Sequence, residues 1–355
     1  MTVIVTTLSP TGPTVAAGML RGLMEFIIGR GAHRAALEER CGIGLDALQD
    51  QDLRVPFCTY ETIMRAGKEL LVDPALALHY GETADMATES IVGLVTRSSA
   101  SPLDAIERMN RYGRLLVETD CAGNGDRFAL VRANGQVWLT DQRRNPNVFP
   151  ELTESSFARI LAAGRKLGNV PFVLAVHVTH PEPAYRAEYD RIFRAPVCFN
   201  SDRNALLLDP AWLTQPITIE PRYLSDIVTA HAEKLLENLK SANSARGQVE
   251  RLLLPILHTG RVRADRIAGL MGFTRQTLHR KLTAEGVSFE EVLDELRSSM
   301  ARHYLSGKQA SVKQTAHLVG FSDPAAFSRA FKRWTGHPPV LALRAALQSS
   351  KGDAA

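Results

Sequence analysis

A chain of 355 residues with 45% apolar and 23% charged content has room for two or three domains and the composition of a folded globular protein, which excludes large-scale disorder. Its net charge of +4 is unevenly spread: from Arg246 onward there are 17 Lys and Arg against 9 Asp and Glu, a net +8, while residues 1–245 hold 25 against 29, a net −4. A basic third on an acidic body suggests one polyanion-binding domain attached to another with a different task.

Residues 1–14 read as a loose arm broken by Pro10 and Pro13. The start, MTVIVTTLSPTGPTV, lacks the basic and apolar regions of a signal peptide. Val15–Gly29 carries Leu20, Leu23, Met24, Ile27 and Ile28 at helical spacing, and short helices are expected to follow to about Asp52. Thr59–Val72 and Pro102–Thr119 read as amphipathic helices, the first ended by Asp73-Pro74. The texture then turns to strands. Arg127–Arg132 and Gln136–Thr140 flank Ala133-Asn134-Gly135, a hairpin signal. Glu151–Leu167 returns to helical spacing, Pro171–His180 is the strongest strand, Ala184–Phe193 reads as helix, and Val197–Phe199 and Ala205–Leu208 as short strands. A linking helix is expected over 220–245, broken by Ser241-Ala242-Asn243-Ser244-Ala245, which places a domain boundary there.

Beyond that boundary two helix-turn-helix patterns stand in tandem. The first is DRIAGLMGFTRQTLHRKL, Asp265–Leu282, and the second VKQTAHLVGFSDPAAFSRAFKRW, Val312–Trp334. They follow an apolar-striped helix expected over Gln248–Leu257. In each, a supporting helix (Arg263–Met271, Gln314–Val319) carries a small residue for close approach, Ala268 or Ala316, and a glycine, Gly272 or Gly320, turns the chain. Thr274, or Ser322 and Asp323, is placed to cap the next helix, and Pro324 suits a first helical position. Leu278 and Leu282, or Phe327 and Phe331, point inward and leave Gln276, His279, Arg280 and Lys281, or Ser328, Arg329, Lys332 and Arg333, to face out. Gln and Arg can read base edges bidentately, and Lys suits phosphate. The helix expected over Ser288–Leu305 joins the units and fixes the distance between the outward helices, about one DNA turn, roughly 34 Å, if both enter the same face.

These blocks, with the connector SFEEVLDELRSSMARHYL and the closing GFSDPAAFSRAFKRWTGHPP, resemble the AraC/XylS family of bacterial transcription regulators over about the last hundred residues. The resemblance implies a DNA-binding domain whose base-contacting positions fall on Gln276, His279 and Arg280 in the first unit and on Ala325, Ser328 and Arg329 in the second. Ala325 offers no hydrogen-bonding group, so the second helix is expected to be the weaker reader. Leu343 before Arg344 departs from the family's usual aromatic, with only a packing effect expected. LRVPF (53–57), HVTHPEPAYRAEYDRIFRAPVCFN (177–200) and ALLLD (205–209) are similar to the α+β effector domain of the subgroup that includes ornithine-utilisation and mycobacterial virulence regulators.

The expected fold is an α+β N-terminal effector and dimerisation domain (1–240), a linker (241–247), an all-α C-terminal domain of two helix-turn-helix units joined by a long helix (248–346), and a disordered tail (347–355). The expected DNA-binding residues are Thr274, Gln276, His279, Arg280 and Lys281, then Ala325, Ser328, Arg329, Lys332 and Arg333. Arg143, Arg144, Tyr185, Arg186 and Tyr189 are candidates to line an effector pocket for a carboxylate, although surface ion pairs and core aromatics explain them equally well. His177 and His180, three apart on a strand, point to opposite faces and do not chelate one metal. Gly123-Asn124-Gly125-Asp126 reads as a turn, the spacing of Gly29, Gly31 and Gly42 is no dinucleotide fingerprint, and no G-x-S-x-G occurs. Cys41, Cys58, Cys121 and Cys198 form no C-x-x-C pair, which fits a reducing compartment. The chain is therefore expected to be a cytoplasmic regulator, usually an activator and often a homodimer. Double-stranded promoter DNA, an unidentified small-molecule effector and RNA polymerase are its expected partners; no cofactor, metal, membrane or catalysis is expected. The alternative is a ligand-independent DNA-binding regulator whose N-terminal domain only dimerises.

Overall fold

A computed structural model describes residues 12–122, 125–167, 171–217, 222–260, 262–306 and 310–341. Most of the expected arm, the expected tail, Leu343 with Arg344, and Gly123 with Asn124 lie outside them. The chain divides into two compact units, with the division between Leu236 and Glu237.

The N-terminal unit opens with strand β1 (Thr14–Ala16), then helices α1 (Ala17–Gly29) and α2 (Arg34–Cys41), strand β2 (Arg54–Pro56) and helix α3 (Phe57–Leu71). The pairing of β1 with β2 corrects two expectations: Thr14 is not part of a loose arm, and Val15 and Ala16 are extended rather than helical. Long-range polar contacts hold them there. Arg54 donates from Nε to Thr14 Oγ1 and from Nη2 to the Thr14 carbonyl, both at 2.9 Å, and Thr14 Oγ1 donates to the Glu118 carboxylate at 2.6 Å. Three short helices not expected from the sequence come next: α4 (Leu76–Thr83), α5 (Met86–Glu89) and α6 (Ile91–Arg97). Helix α7 (Pro102–Leu116) begins as its sequence suggests, with Ser101 accepting from the Asp104 amide and Pro102 in the first turn.

The strands β3 (Phe128–Ala133) and β4 (Gln136–Asp141) form the expected hairpin, closed by Asn134-Gly135. Helix α8 (Glu151–Arg165), strand β5 (Val173–His177), helix α9 (Arg186–Phe193), strands β6 (Val197–Cys198) and β7 (Ala205–Leu208) and helix α10 (Pro210–Leu213) complete the layer. The five-stranded sheet runs β3-β4-β7-β5-β6, antiparallel except for β5 with β6. Phe157 and Leu161 of α8 and Tyr189, Ile192 and Phe193 of α9 bury against Leu139, Val176, Leu206 and Leu208 of the sheet. A second core gathers α1, α3 and α4 around Leu20, Met24, Tyr60, Ile63 and Tyr80. The mixed N-terminal architecture is the one expected.

Helix α11 (Arg222–Asn243) carries the division between units. Helix α12 (Ala245–Leu253) starts only two residues later, so the stretch expected as a linker is helical on both sides of Ser244, whose hydroxyl caps α12 by accepting from Gly247 N. Pro255 lacks an amide hydrogen and cannot continue an α-helix, so α12 ends four residues short of Leu257 and the chain tightens into a 3-10 turn over Leu254–Thr259. Then come α13 (Ala264–Leu270), α14 (Arg275–Ala284), α15 (Phe289–Ser306), α16 (Val312–Leu318) and α17 (Pro324–Thr335). Among its described residues every regular element of the C-terminal unit is a helix, as expected.

Candidate functional site

In the C-terminal unit, α13-turn-α14 and α16-turn-α17 are built by the same local rules. Ala268 and Ala316 are fully buried where the paired helices cross. Each supporting helix ends with a glycine in the left-handed region, Gly272 at φ +71° and Gly320 at φ +85°. The next amide bonds back across the turn: Phe273 N donates to Ala268 O and Phe321 N to Ala316 O, both at 2.8 Å. This satisfies a carbonyl that a helix end otherwise leaves open. Thr274 then caps α14 by accepting from Thr277 N at 3.1 Å, while both carboxylate oxygens of Asp323 cap α17, from Ala325 N and Ala326 N at 3.0 Å. The cap that opens the second outward helix is thus Asp323, one of the two residues expected.

Burial sorts the faces as the spacing implies. Leu278 and Leu282 of α14 and Phe327 and Phe331 of α17 are buried. Thr274, Gln276, His279, Arg280 and Lys281 are exposed, as are Ala325, Arg329, Lys332 and Arg333, while Ser328 is half-buried. Their commitments differ. Gln276, His279, Arg280, Arg329 and Lys332 make no side-chain hydrogen bond or ion pair among the described residues. Lys281 Nζ lies 5.1 Å from the Phe273 ring, Ser328 Oγ donates to Pro324 O, and Arg333 is held by Asp294 of α15 at 2.7 Å. Helix α15 is shared: Phe289 and Val292 enter the first core with Leu278 and Leu282, and Ala301 and Leu305 enter the second with Phe327 and Phe331. One helix anchored in both cores keeps the outward helices from drifting independently. A second tie lies at Gly320, where a methyl group would sit 2.2 Å from the Leu257 carbonyl oxygen.

The N-terminal unit holds an open-sided cavity of about 430 Å³ among α5, α6, α7, α8 and β3. Val92, Ile106, Met109 and Ile160 give it apolar walls, and Asn110, Arg127, Arg159 and Lys166 bring polar groups to it. Asn110 is fixed by a two-way bond to the Phe128 backbone, Arg127 by Asp141 at 3.3 Å and Ser156 at 2.9 Å, and Arg159 by Glu89 at 2.7 Å.

Residues 31–217 match the family model described as the arabinose-binding domain of the AraC transcription regulator, N-terminal, and residues 267–344 match a helix-turn-helix domain model. The chain belongs to the AraC family of transcription regulators. It is similar to the ornithine utilization regulator of Pseudomonas aeruginosa, 26% identical over 93% of this chain and 96% of that protein. It is also similar to the transcriptional regulator VirS of Mycobacterium tuberculosis, 23% identical over 92% and 96%. Over 69 residues it is 42% identical to the urease operon transcriptional activator of Escherichia coli, covering 19% of this chain and 23% of that one. The solved transcriptional regulator CdpR of Pseudomonas aeruginosa aligns over 92% of this chain and 98% of its own at 21% identity, with a TM-score of 0.41. As an AraC-family member the chain is a DNA-binding transcription regulator, a family of regulators rather than enzymes.

In this AraC-family chain the five residues expected to line an effector pocket do not meet at the cavity. Arg143 is buried in an ion cluster instead, donating to Asp141 at 3.2 Å, to the Phe149 carbonyl and to Thr153 Oγ1. Burial alone would raise the Asp141 carboxyl, but Arg127 and Arg143 outweigh it and hold Asp141 below the usual carboxylate range. Arg144 pairs with Asp120 on the surface at 3.2 Å, and Arg186 with Glu182 and Asp190. Tyr185 and Tyr189 donate to one oxygen of buried Glu154, at 2.8 and 2.6 Å, and the Tyr189 hydroxyl also meets His180 Nε2 at 2.8 Å. Burial pushes the Glu154 carboxyl up despite those hydrogen bonds. His177 contacts Ser201 and packs against the Trp138 ring, so the two histidines serve separate neighbourhoods. Arg127, Arg159 and Asn110 were not singled out from sequence. A signal was present for one of them: Arg159 follows Leu152 by seven residues on α8 and so falls on its buried stripe.

Proposed function

We propose that the chain is a one-component transcription activator that reads its operator with α14 and α17 and takes a small organic effector in the cavity of the N-terminal unit. The carrying observation is the pair of outward helices whose Gln276, His279 and Arg280, and Arg329 and Lys332, are exposed and uncommitted while their opposite faces are buried in cores that share α15. The first helix is the stronger reader. Gln276 and Arg280 reach base edges, with His279 between them and Lys281 on phosphate. The second relies on Arg329, with Lys332 on phosphate, because Ser328 is occupied by its own helix and Ala325 has no polar group. Thr274 and Arg333 contribute at the rim. Relatives named as transcriptional activators support activation, and with it contact to RNA polymerase; the arabinose-binding domain match supports effector sensing. In this reading the N-terminal unit also dimerises, and the effector biases how the DNA-binding units are presented.

The test is a gel shift on the chain's own operator and on random DNA of equal length. Arg280→Ala is expected to weaken operator binding by about 1–3 kcal/mol and to relax one base position. Equal loss on random DNA removes Arg280 from base reading.

A further inference from the structure

The cavity in the N-terminal unit carries a chemical bias of its own, and any ligand class assigned to it rests on its being the effector site. Among the described residues of that unit, six buried side-chain nitrogen or oxygen atoms have no hydrogen-bond partner. Three belong to residues that line the cavity: Arg127 Nε, Arg159 Nη2 and Trp212 Nε1. All three are N–H groups that donate and cannot accept, whereas the other three, Tyr60 Oη, Ser99 Oγ and Glu154 Oε2, are oxygens. The three nitrogens themselves lie beneath the cavity surface and are not reached by a ligand directly, but with Lys166 their residues make a wall that is rich in donors and positive charge, which favours a ligand of acceptor character.

The two guanidinium groups share a wall. Ser156, Arg159, Ala163 and Lys166 follow one another at three- and four-residue steps along α8 and its C-terminal end, and all line the cavity. Arg127 donates to Ser156 Oγ at 2.9 Å, which sets it one helical turn from Arg159. Arg159 is held by Glu89 at 2.7 Å and by the Tyr80 ring at 5.2 Å, with 9% of its side chain exposed. It is therefore pre-organised rather than free to swing. The acids that border the same cavity are already matched: Glu82 with Arg191 at 2.8 Å and Asp85 with Arg97 at 2.6 Å. Lys166 is exposed and makes no ion pair among the described residues.

We propose that this cavity takes an organic monocarboxylate with an apolar body, its carboxylate drawn to the cationic wall of Arg127, Arg159 and Lys166 and its body resting among Val92, Ile106 and Met109. A cation has no lone pairs for those donors and meets like charge there. A neutral alcohol supplies one acceptor without the charge that strengthens the bonds.

Three probes with one body separate these cases in calorimetric titrations of the full-length protein: 4-butylbenzoate, 4-butylbenzyl alcohol and 4-butylbenzylamine. The benzoate is expected to bind at least about tenfold more tightly than the other two. Arg159→Lys, which keeps a cation against Glu89 but loses the guanidinium fork, is expected to remove that preference; Lys166→Gln, an exposed change, reduces it if the first variant does not fold. Ala163→Trp, which adds an indole at the α8 wall of the cavity, is expected to abolish binding of every probe. Alcohol or amine binding as tightly as benzoate, with Ala163→Trp still abolishing it, overturns the carboxylate assignment and leaves the cavity as a ligand site. Binding that survives Ala163→Trp, or no binding of any probe, overturns the effector-site reading and the carboxylate with it.

Discussion

The turn glycines of the two helix-turn-helix units differ in what they must avoid, and replacing each by alanine measures the difference. Both sit in the left-handed region, where an L side chain costs about 1 kcal/mol or somewhat more. At Gly272 nothing lies within 4 Å of an added methyl group, so Gly272→Ala is expected to cost only that. At Gly320 the methyl group would stand 2.2 Å from Leu257 O, 3.2 Å from Gly260 Cα and 3.3 Å from Gly260 N. These are backbone atoms that cannot rotate aside, so overpacking adds about 1–3 kcal/mol and the total reaches about 2–4 kcal/mol. Native-state hydrogen exchange on the full chain resolves the two, since local opening is read helix by helix. Gly320→Ala is expected to strip protection from α16 and α17 and from the 254–260 turn, Gly272→Ala to lower it modestly in α13 and α14. Equal losses, or a larger loss at Gly272, would refute the argument that the second unit is clamped against the first.

Lys332→Ala is expected to weaken binding evenly across DNA sequences and to reduce the slope of log affinity against log salt by about one; an unchanged slope rules out its phosphate contact. Asp141→Asn leaves Arg127 and Arg143 buried without their counter-charge and is expected to destabilise the N-terminal unit by about 3–5 kcal/mol at neutral pH, read by its thermal unfolding. Because the folded state holds the Asp141 carboxyl below its ordinary range, its contribution is present above about pH 4 and is lost as pH falls through the depressed value. The Asn variant should therefore lose less than the parent on acidification, and a parallel acid loss would remove Asp141 as the cause. Asp323→Ala removes the acceptor for two amides at the start of α17 and should cost about 1 kcal/mol, seen as fraying of that helix; no change in exchange at Ala325 and Ala326 would contradict the cap.

Most of the C-terminal unit was legible because each decisive residue acts locally. Gly272 and Gly320 turn their own helices, Thr274 and Asp323 cap theirs, and Leu278, Leu282, Phe327 and Phe331 repeat at helical spacing. The Asn134-Gly135 hairpin was legible for the same reason. What escaped depends on partners distant in sequence. Strand β1 is three residues long and is fastened by Arg54 and Glu118, far along the chain. Helices α4, α5 and α6 span eight, four and seven residues, and α4 buries Leu76, Ala77, Leu78, Tyr80 and Gly81, so its buried positions run together instead of marking one stripe. Tyr185 and Tyr189 look equally fit for a pocket or a core until Glu154 of α8 is seen to take both hydroxyls. Arg143 is likewise engaged by groups that its own stretch does not display, the Phe149 carbonyl and Thr153 Oγ1 beside buried Asp141.

The central claim is that two rigidly linked helices read DNA, the first more strongly than the second. Its most direct test is base-resolved operator selection from random DNA by the full chain and by its Arg280→Ala and Arg329→Ala variants. Each variant is expected to relax a separate position, the two about one helical turn or roughly 10 bp apart, with the larger loss of specificity at the Arg280 position. Two variants that weaken binding evenly, with no position relaxed, would contradict it.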